Sequence, residues 1–251
     1  MKRQLYDLTD EPFVMFVDRL DEVLKGEEIR YNVVGGVASQ AYILDMLSKK
    51  HDRPIDGLVR YEDVRVQDYL RSTDDVDIAL DLKGDDADRI KTITTVIIPK
   101  MGFEGISPDG ESLVEFRSER VGASRPRFRV YVNDQGTQEE VIAMNIGRQP
   151  SDLRKLDPHL YGDFINQGRD LRLEYSEDFS LNLHVPRLEH VLASKVSQSR
   201  AKDLMDVRNL TTLAKDTGRE LDFQEIERVL LPGYPDKYER FLSEEYPDLS
   251  Q

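Results

Sequence analysis

The chain has 251 residues, enough to bury a sizeable core, and this length suits either one large domain or a catalytic domain with a smaller appendage. Hydrophobic residues make up 39% and charged residues 33%, with a formal net charge of -14, so broad nonspecific binding to nucleic acid is disfavoured and any RNA or DNA partner must meet a local basic patch. The absence of cysteine excludes disulfides and thiolate metal sites, and the scattered His51, His159, His184 and His190 argue against a histidine-built zinc site.

No stretch approaches eighteen apolar residues, and MKRQLYDLTDEP has no apolar core of the signal-peptide kind. No membrane association is expected, and the expected compartment is the cytoplasm. In chain order, Thr9 or Asp10 can cap a helix with Pro12 in its first turn and Phe13, Phe16, Val17, Leu20, Val23 and Leu24 at helical spacing, ended by Gly26. Arg30 to Val34 read as a short strand, Gly35-Gly36 as a tight turn, and Val37 to Leu47 as a helix. Ser48 to Ser72 carry no sustained period and read as a long loop or an active-site surround.

In RSTDDVDIALDL, Asp75, Asp77 and Ala79 alternate with Val76, Ile78 and Leu80, the period of a half-buried strand whose polar face begins with two carboxylates. Asp86 to Lys100 reads as a helix, with the β-branched run around Thr92 to Ile98 making strand a competitor. Ser112 to Arg117, Arg127 to Val132 and Glu140 to Ile146 read as strands, and Leu171 to Tyr175 with Phe179 to Val185 as a hairpin. After Pro186 the pattern turns helical, giving an expected division into residues 1–185 and 186–251.

Aspartates at i and i+2 of a strand share one face, a spacing that suits a common Mg²⁺ or Mn²⁺, since oxygen ligands alone select these over zinc. Two such ions about 3.5 to 4 Å apart can bind a triphosphate, activate a hydroxyl and neutralise leaving pyrophosphate. Gly35-Gly36 lets backbone amides approach phosphate at a helix N-terminus. Taken alone, DxD is more often an ordinary strand face and Gly-Gly an ordinary turn; the weight comes from the pairing.

VVGGVASQAYIL followed by RSTDDVDIALDL resembles the DNA polymerase beta type nucleotidyltransferase superfamily. Arg71, Thr73, Asp75 and Asp77 look like the RxTxDxD form of its AbiEii-like branch, toxins of abortive-infection and toxin-antitoxin systems. HVPRLEHVLASKVSQSRAKDLMDVRNL is similar to that branch's helical signature, placing Lys195, Arg200, Lys202, Asp203 and Asp206 on motif positions. The resemblance covers most of residues 30 to 215.

It implies an α+β fold with a nucleotidyltransferase-type mixed sheet flanked by helices, and a C-terminal helical domain. It further implies Mg²⁺ or Mn²⁺ on Asp75 and Asp77, a nucleoside triphosphate facing Gly35, Gly36 and Ser39 beside Arg71 and Thr73, and catalytic parts for Lys195 and Asp203 or Asp206. The acceptor would be a tRNA end or a protein hydroxyl, with a cognate antitoxin as partner. A small-molecule acceptor such as an antibiotic and a non-catalytic binding module are the alternatives.

Were residues 188 to 210 one helix, Leu188, Lys195, Lys202 and Asp206 would fall in one stripe beside Val191 and Leu192, which is either functional or a Lys-Asp staple to the sheet. A break near Ser197 to Ser199 is the alternative, and it would spoil the stripe but not the motif match. On EEVIAMNIG, Asn145 occupies the place where the superfamily carries a third carboxylate, and an amide cannot take a proton. Arg117, Arg120, Arg125, Arg127 and Arg129 crowd into RSERVGASRPRFR, a cationic strip suited to a triphosphate tail or an RNA backbone, or equally a solvated strand face paired with Glu115 and Glu119.

Overall fold

The computed structural model describes residues 5–60, 64–73, 75–81, 92–97, 100–101, 114–120, 126–134, 137–146 and 166–249, with the side chains of 12, 75, 93, 94 and the three strands between 114 and 146 left out. Helix α1 (Glu11–Gly26) has Asp10 at its N-cap and Pro12 in the first turn, where a missing N–H costs nothing. The Asp10 carboxylate accepts instead from the backbone N–H of Asp7 at 2.7 Å. Strand β1 (Tyr31–Val34) runs directly into α2 (Gly35–His51), and β2 (Asp75–Leu80) lies antiparallel to β1.

Three further strands, β3 (Val114–Arg120), β4 (Pro126–Asp134) and β5 (Thr137–Ile146), complete a five-stranded mixed sheet in the order β1-β2-β5-β4-β3. Only β2 and β5 pair in parallel. Strands β6 (Arg169–Glu174) and β7 (Ser180–Val185) form the expected hairpin as a separate antiparallel pair. The protein is thus α+β.

Helix α2 is the centre of the molecule. Val37 to Leu47 are all buried, including Ser39, Gln40 and Asp45, because α2 is covered by the sheet, the β6–β7 hairpin and the C-terminal helices. A helix buried on all sides obliges each of its polar side chains to find a partner. The Tyr42 hydroxyl donates to the Pro186 carbonyl at 2.6 Å, and Asp45 accepts from Lys49 at 2.7 Å and from Arg219 at 3.5 Å.

The long loop expected over Ser48 to Ser72 is corrected. Helix α2 continues to His51, and α3 (Ile55–Arg60) and α4 (Val66–Tyr69) follow, burying Ile55, Leu58, Val66 and Leu70. Each is too short to display a period, so its apolar residues read as noise in a long window. The expected helix from Asp86 lies partly outside the described residues; Ile93–Ile97 form a π-helical turn.

Beyond Pro186 come α5 (Leu188–Gln198), α6 (Ala201–Asp216), α7 (Phe223–Leu230) and α8 (Pro235–Glu245), as the helical pattern predicts. Residues 188 to 210 are not one helix: the chain breaks at Ser199, within the expected 197–199 stretch, where it takes the left-handed conformation at φ 50°. Buried apolar residues on both sides of position 186 belong to one continuous core.

Candidate functional site

The first glycine of the strand-to-helix junction is required twice over. Gly35 has φ +67°, a region that a Cβ makes costly, and a Cβ built there would lie 2.3 Å from the Asp77 Oδ2 and 3.1 Å from its Cγ. The β1–β2 register sets this contact, because Val34 pairs with Asp77 and the chain turns over the carboxylate immediately afterwards. A Cβ on Gly36 would meet the Arg71 Nη2 at 3.1 Å and the Thr73 Oγ1 at 3.4 Å. The two glycines, Arg71, Thr73 and Asp77 therefore share one place.

The segment leading into β2 is fixed from two directions. Thr73 exchanges backbone hydrogen bonds with Tyr6 at 2.7 and 2.8 Å. Gln40, one helical turn after Gly36, donates to the Arg71 carbonyl at 2.7 Å and accepts the Leu8 N–H at 2.9 Å. Asn209 on α6 donates to the Tyr69 carbonyl at 2.9 Å. Sequence reasoning missed Gln40 and Asn209; the clue for Gln40 was a polar residue within an otherwise apolar helix.

The α5–α6 motif reaches the same place through Arg71. Its guanidinium makes two hydrogen bonds of 3.4 Å to Asp206, which also accepts from Lys195 at 2.5 Å. Lys195 lies 3.6 Å from Asp203, and Asp203 accepts from Arg200 at 2.5 and 3.1 Å. Lys195, Asp203 and Asp206 are all buried. Although the helix breaks at Ser199, the charged residues on either side of the break still converge.

Burial alone would push the Asp203 carboxyl up, but the Arg200 hydrogen bond and the charges of Lys195, Arg200 and Lys202 outweigh it and hold it below the usual carboxylate range. Arg200 is held above its ordinary value, first by its hydrogen bond to Asp203, against desolvation, and then by the charges of Asp203, Asp77 and Asp206. The Asp77 charge is thus felt at the N-terminus of α6. Lys202 itself is exposed.

Two of the sequence-derived residues stand differently from the rest. Ser39 is buried with its hydroxyl donating to the Gly35 carbonyl at 3.3 Å, one turn back along α2. Arg127 lies on β4 in register with Asn145, which in turn is in register with Asp77. One row across the sheet therefore reads Asp77, Asn145, Arg127, Glu119, and the next reads Asp75, Ala143, Arg129, Arg117. Asn145 is the neighbour of Asp77 across the sheet, and Arg127 and Arg129 stand two strands from the aspartates, with Arg117 one strand further.

Among the described residues, which leave out the Asp75 side chain, no group of three or more His, Asp or Glu is placed to hold a metal ion. Asp75 and Asp77 stand at i and i+2 of β2, and the Gly35 backbone packs closely against the Asp77 carboxylate. A cleft at the other end of α2, lined by Lys49, Lys50, Arg169, Glu189, Asp216 and Arg219, is separate from this site. No helix among the described residues is long and apolar enough to cross a membrane. No known protein family, curated protein or solved structure matches the chain.

Proposed function

We propose that the chain is a metal-dependent nucleotidyltransferase of the polymerase-beta-like fold, AbiEii-like branch, which moves a nucleotide from a nucleoside triphosphate to an acceptor hydroxyl. The observation that carries this reading is the fit of Gly35 under Asp77: a backbone with no room for a Cβ, pressed against a carboxylate more than forty residues away in the chain. The junction of Arg71 with Asp206 and Lys195 supports it, since these residues come from distant parts of the sequence and meet at the glycine turn.

On this reading Asp75 and Asp77 hold Mg²⁺ or Mn²⁺, and the metal supplies charge neutralisation for the triphosphate. The α2 N-terminus at Gly35-Gly36 offers backbone N–H groups to phosphate oxygens. Arg71 is held by Asp206 and by Gln40 at its backbone, so its charge is available at a fixed position beside that turn. The acceptor oxygen bonds to the α-phosphorus, pyrophosphate leaves with the electron pair of the broken bond, and the hydroxyl proton passes to solvent. Lys195 and Asp203 act by holding this charge array together, since both are buried and paired.

The acceptor on this reading is a tRNA end or a protein hydroxyl, and the setting is a toxin with a cognate antitoxin. Labelled triphosphates with Mg²⁺, bulk tRNA and cell lysate are expected to yield a labelled product with the wild type and none with Asp77→Ala. Failure to label any tRNA, protein or small molecule under these conditions, with intact nucleotide binding, moves the assignment to a second reading. That reading is a nucleotide-binding module acting through protein partners, and Asn145 beside Asp77 favours it, because an amide cannot take the acceptor's proton.

A further inference from the structure

One buried side chain of α2 ties the Arg71–Thr73 segment to the N-terminal residues Tyr6 to Leu8, and its part in the site rests on the reading above. We propose that Gln40 is a positioning residue for the nucleotide site, acting through Arg71, with Leu8 and Tyr175 as the strut behind it. Helix α2 meets Arg71 at both ends. A Cβ on Gly36 would lie 3.1 Å from the Arg71 Nη2, and one turn later the Gln40 amide donates to the Arg71 carbonyl at 2.7 Å. Among the described residues the guanidinium hydrogen-bonds only at 3.4 Å, twice to Asp206 and once to the Ser72 carbonyl. Contacts of that length lie beyond the usual range of about 2.7–3.2 Å and hold loosely. The short bond at the main chain therefore sets where the cation stands.

Gln40 is itself fixed. It is buried, and its amide oxygen accepts the Leu8 N–H at 2.9 Å. Leu8 is fully buried, and its carbonyl accepts from the Tyr175 hydroxyl at 2.7 Å, just after β6. Two residues before Leu8, Tyr6 exchanges main-chain hydrogen bonds with Thr73 at 2.7 and 2.8 Å. A buried chain thus runs from the Tyr175 hydroxyl through the Leu8 main chain and the Gln40 amide to the Arg71 carbonyl. Bonds in such a chain strengthen one another, and a link left unmade in a buried setting is costly. An apolar residue at 40 would strand the Leu8 N–H and the Arg71 carbonyl together and let residues 71–73 shift against the glycine turn. A displacement of about 1 Å is enough to cost a positioned charge much of its effect.

Calorimetric affinity for a nonhydrolysable analogue of each nucleoside triphosphate with Mg²⁺, measured well below the melting temperature of every variant, tests the assignment. Gln40→Met is expected to weaken binding about tenfold and Tyr175→Phe about threefold. Tyr42→Phe is the matched control, since it deletes a buried hydroxyl bond of the same kind, to the Pro186 carbonyl at 2.6 Å, outside this chain of bonds. It is expected to lower the melting temperature as Tyr175→Phe does and to bind the analogue like the wild type. Binding by Gln40→Met and Tyr175→Phe at the wild-type level, or a loss in Tyr42→Phe equal to that in Tyr175→Phe, reduces Gln40 to a structural role and overturns the inference. In an Arg71→Met background Gln40→Met is expected to lose no further affinity, and an undiminished loss there overturns the route through Arg71. If Gln40→Met does not fold, the two tyrosine variants carry the same test. Wild-type protein that binds none of the analogues removes the nucleotidyltransferase reading itself, an outcome seen before any variant is compared.

Discussion

Replacing Gly35 with alanine tests the junction on which the site is built. Two separate costs follow from the geometry. The backbone at φ +67° disfavours any residue with a Cβ by about 1–2 kcal/mol. The added methyl must also displace the Asp77 carboxylate, whose Oδ2 would stand only 2.3 Å away. The carboxylate can swing, so the steric part is expressed less as lost stability than as a moved metal ligand. A total loss of about 1–3 kcal/mol is expected, and, for a chain of this size, a melting temperature lowered by several degrees at about 2–4 °C per kcal/mol. Binding of Mg²⁺ with a nucleoside triphosphate, followed calorimetrically, is expected to weaken by tenfold or more. The two costs separate in a double-mutant cycle: in an Asp77→Ala background the carboxylate is gone, and Gly35→Ala then carries the backbone cost and only the milder 3.2 Å approach to the remaining Cβ. Gly36→Ala is the control for the melt alone, because Gly36 has no positive φ and its Cβ would meet a side-chain end, the Arg71 Nη2, at 3.1 Å. A Gly35→Ala protein that melts and binds like the wild type would refute the reasoning.

Lys195→Ala removes the cation between buried Asp203 and Asp206 and is expected to cost about 3–5 kcal/mol in urea unfolding, with Lys202→Ala, on the exposed side of α6, near neutral. Tyr42→Phe deletes the hydroxyl that meets the Pro186 carbonyl at 2.6 Å in the core and is expected to cost about 1–3 kcal/mol, read from the shift in denaturant midpoint at unchanged slope. Glu225 is held down to about 2, chiefly by its hydrogen bond to Arg228 and, against desolvation, by that to His190. A depressed carboxyl stabilises the fold above its unfolded value of about 4.3 and loses that contribution as pH falls toward its folded value. Glu225→Gln is therefore expected to flatten the stability profile between about pH 4.5 and 2, and an unchanged acid limb would count against the pairing.

Strand β2 was legible because its alternation is local: Val76, Ile78 and Leu80 are buried, with the half-buried Asp77 between them. The β6–β7 hairpin and the helical run after Pro186 were legible for the same reason. Helices α3 and α4 were not, because six and four residues are too few to show a period and their helicity follows from burying Ile55 and Leu58 against α2 and Val66 in the common core. The break near Ser197 to Ser199 was legible from its serines, although no glycine or proline marks it, and the left-handed Ser199 fixes its place.

By itself the sequence determined which residue types were available: the Gly35-Gly36 junction, the i and i+2 aspartates, the charged motif of α5 and α6, and an asparagine on the later strand. These depend on side-chain chemistry and on backbone periods of a few residues. Only the tertiary structure decided their neighbours. That Asp77 rests on Gly35 and stands in register with Asn145, and that Arg71 joins the glycine turn to Asp206, depends on how β1, β2 and β5 align and how α6 packs on α2. Strand register and helix packing are fixed by the whole apolar core at once, and no local stretch of the chain carries that information.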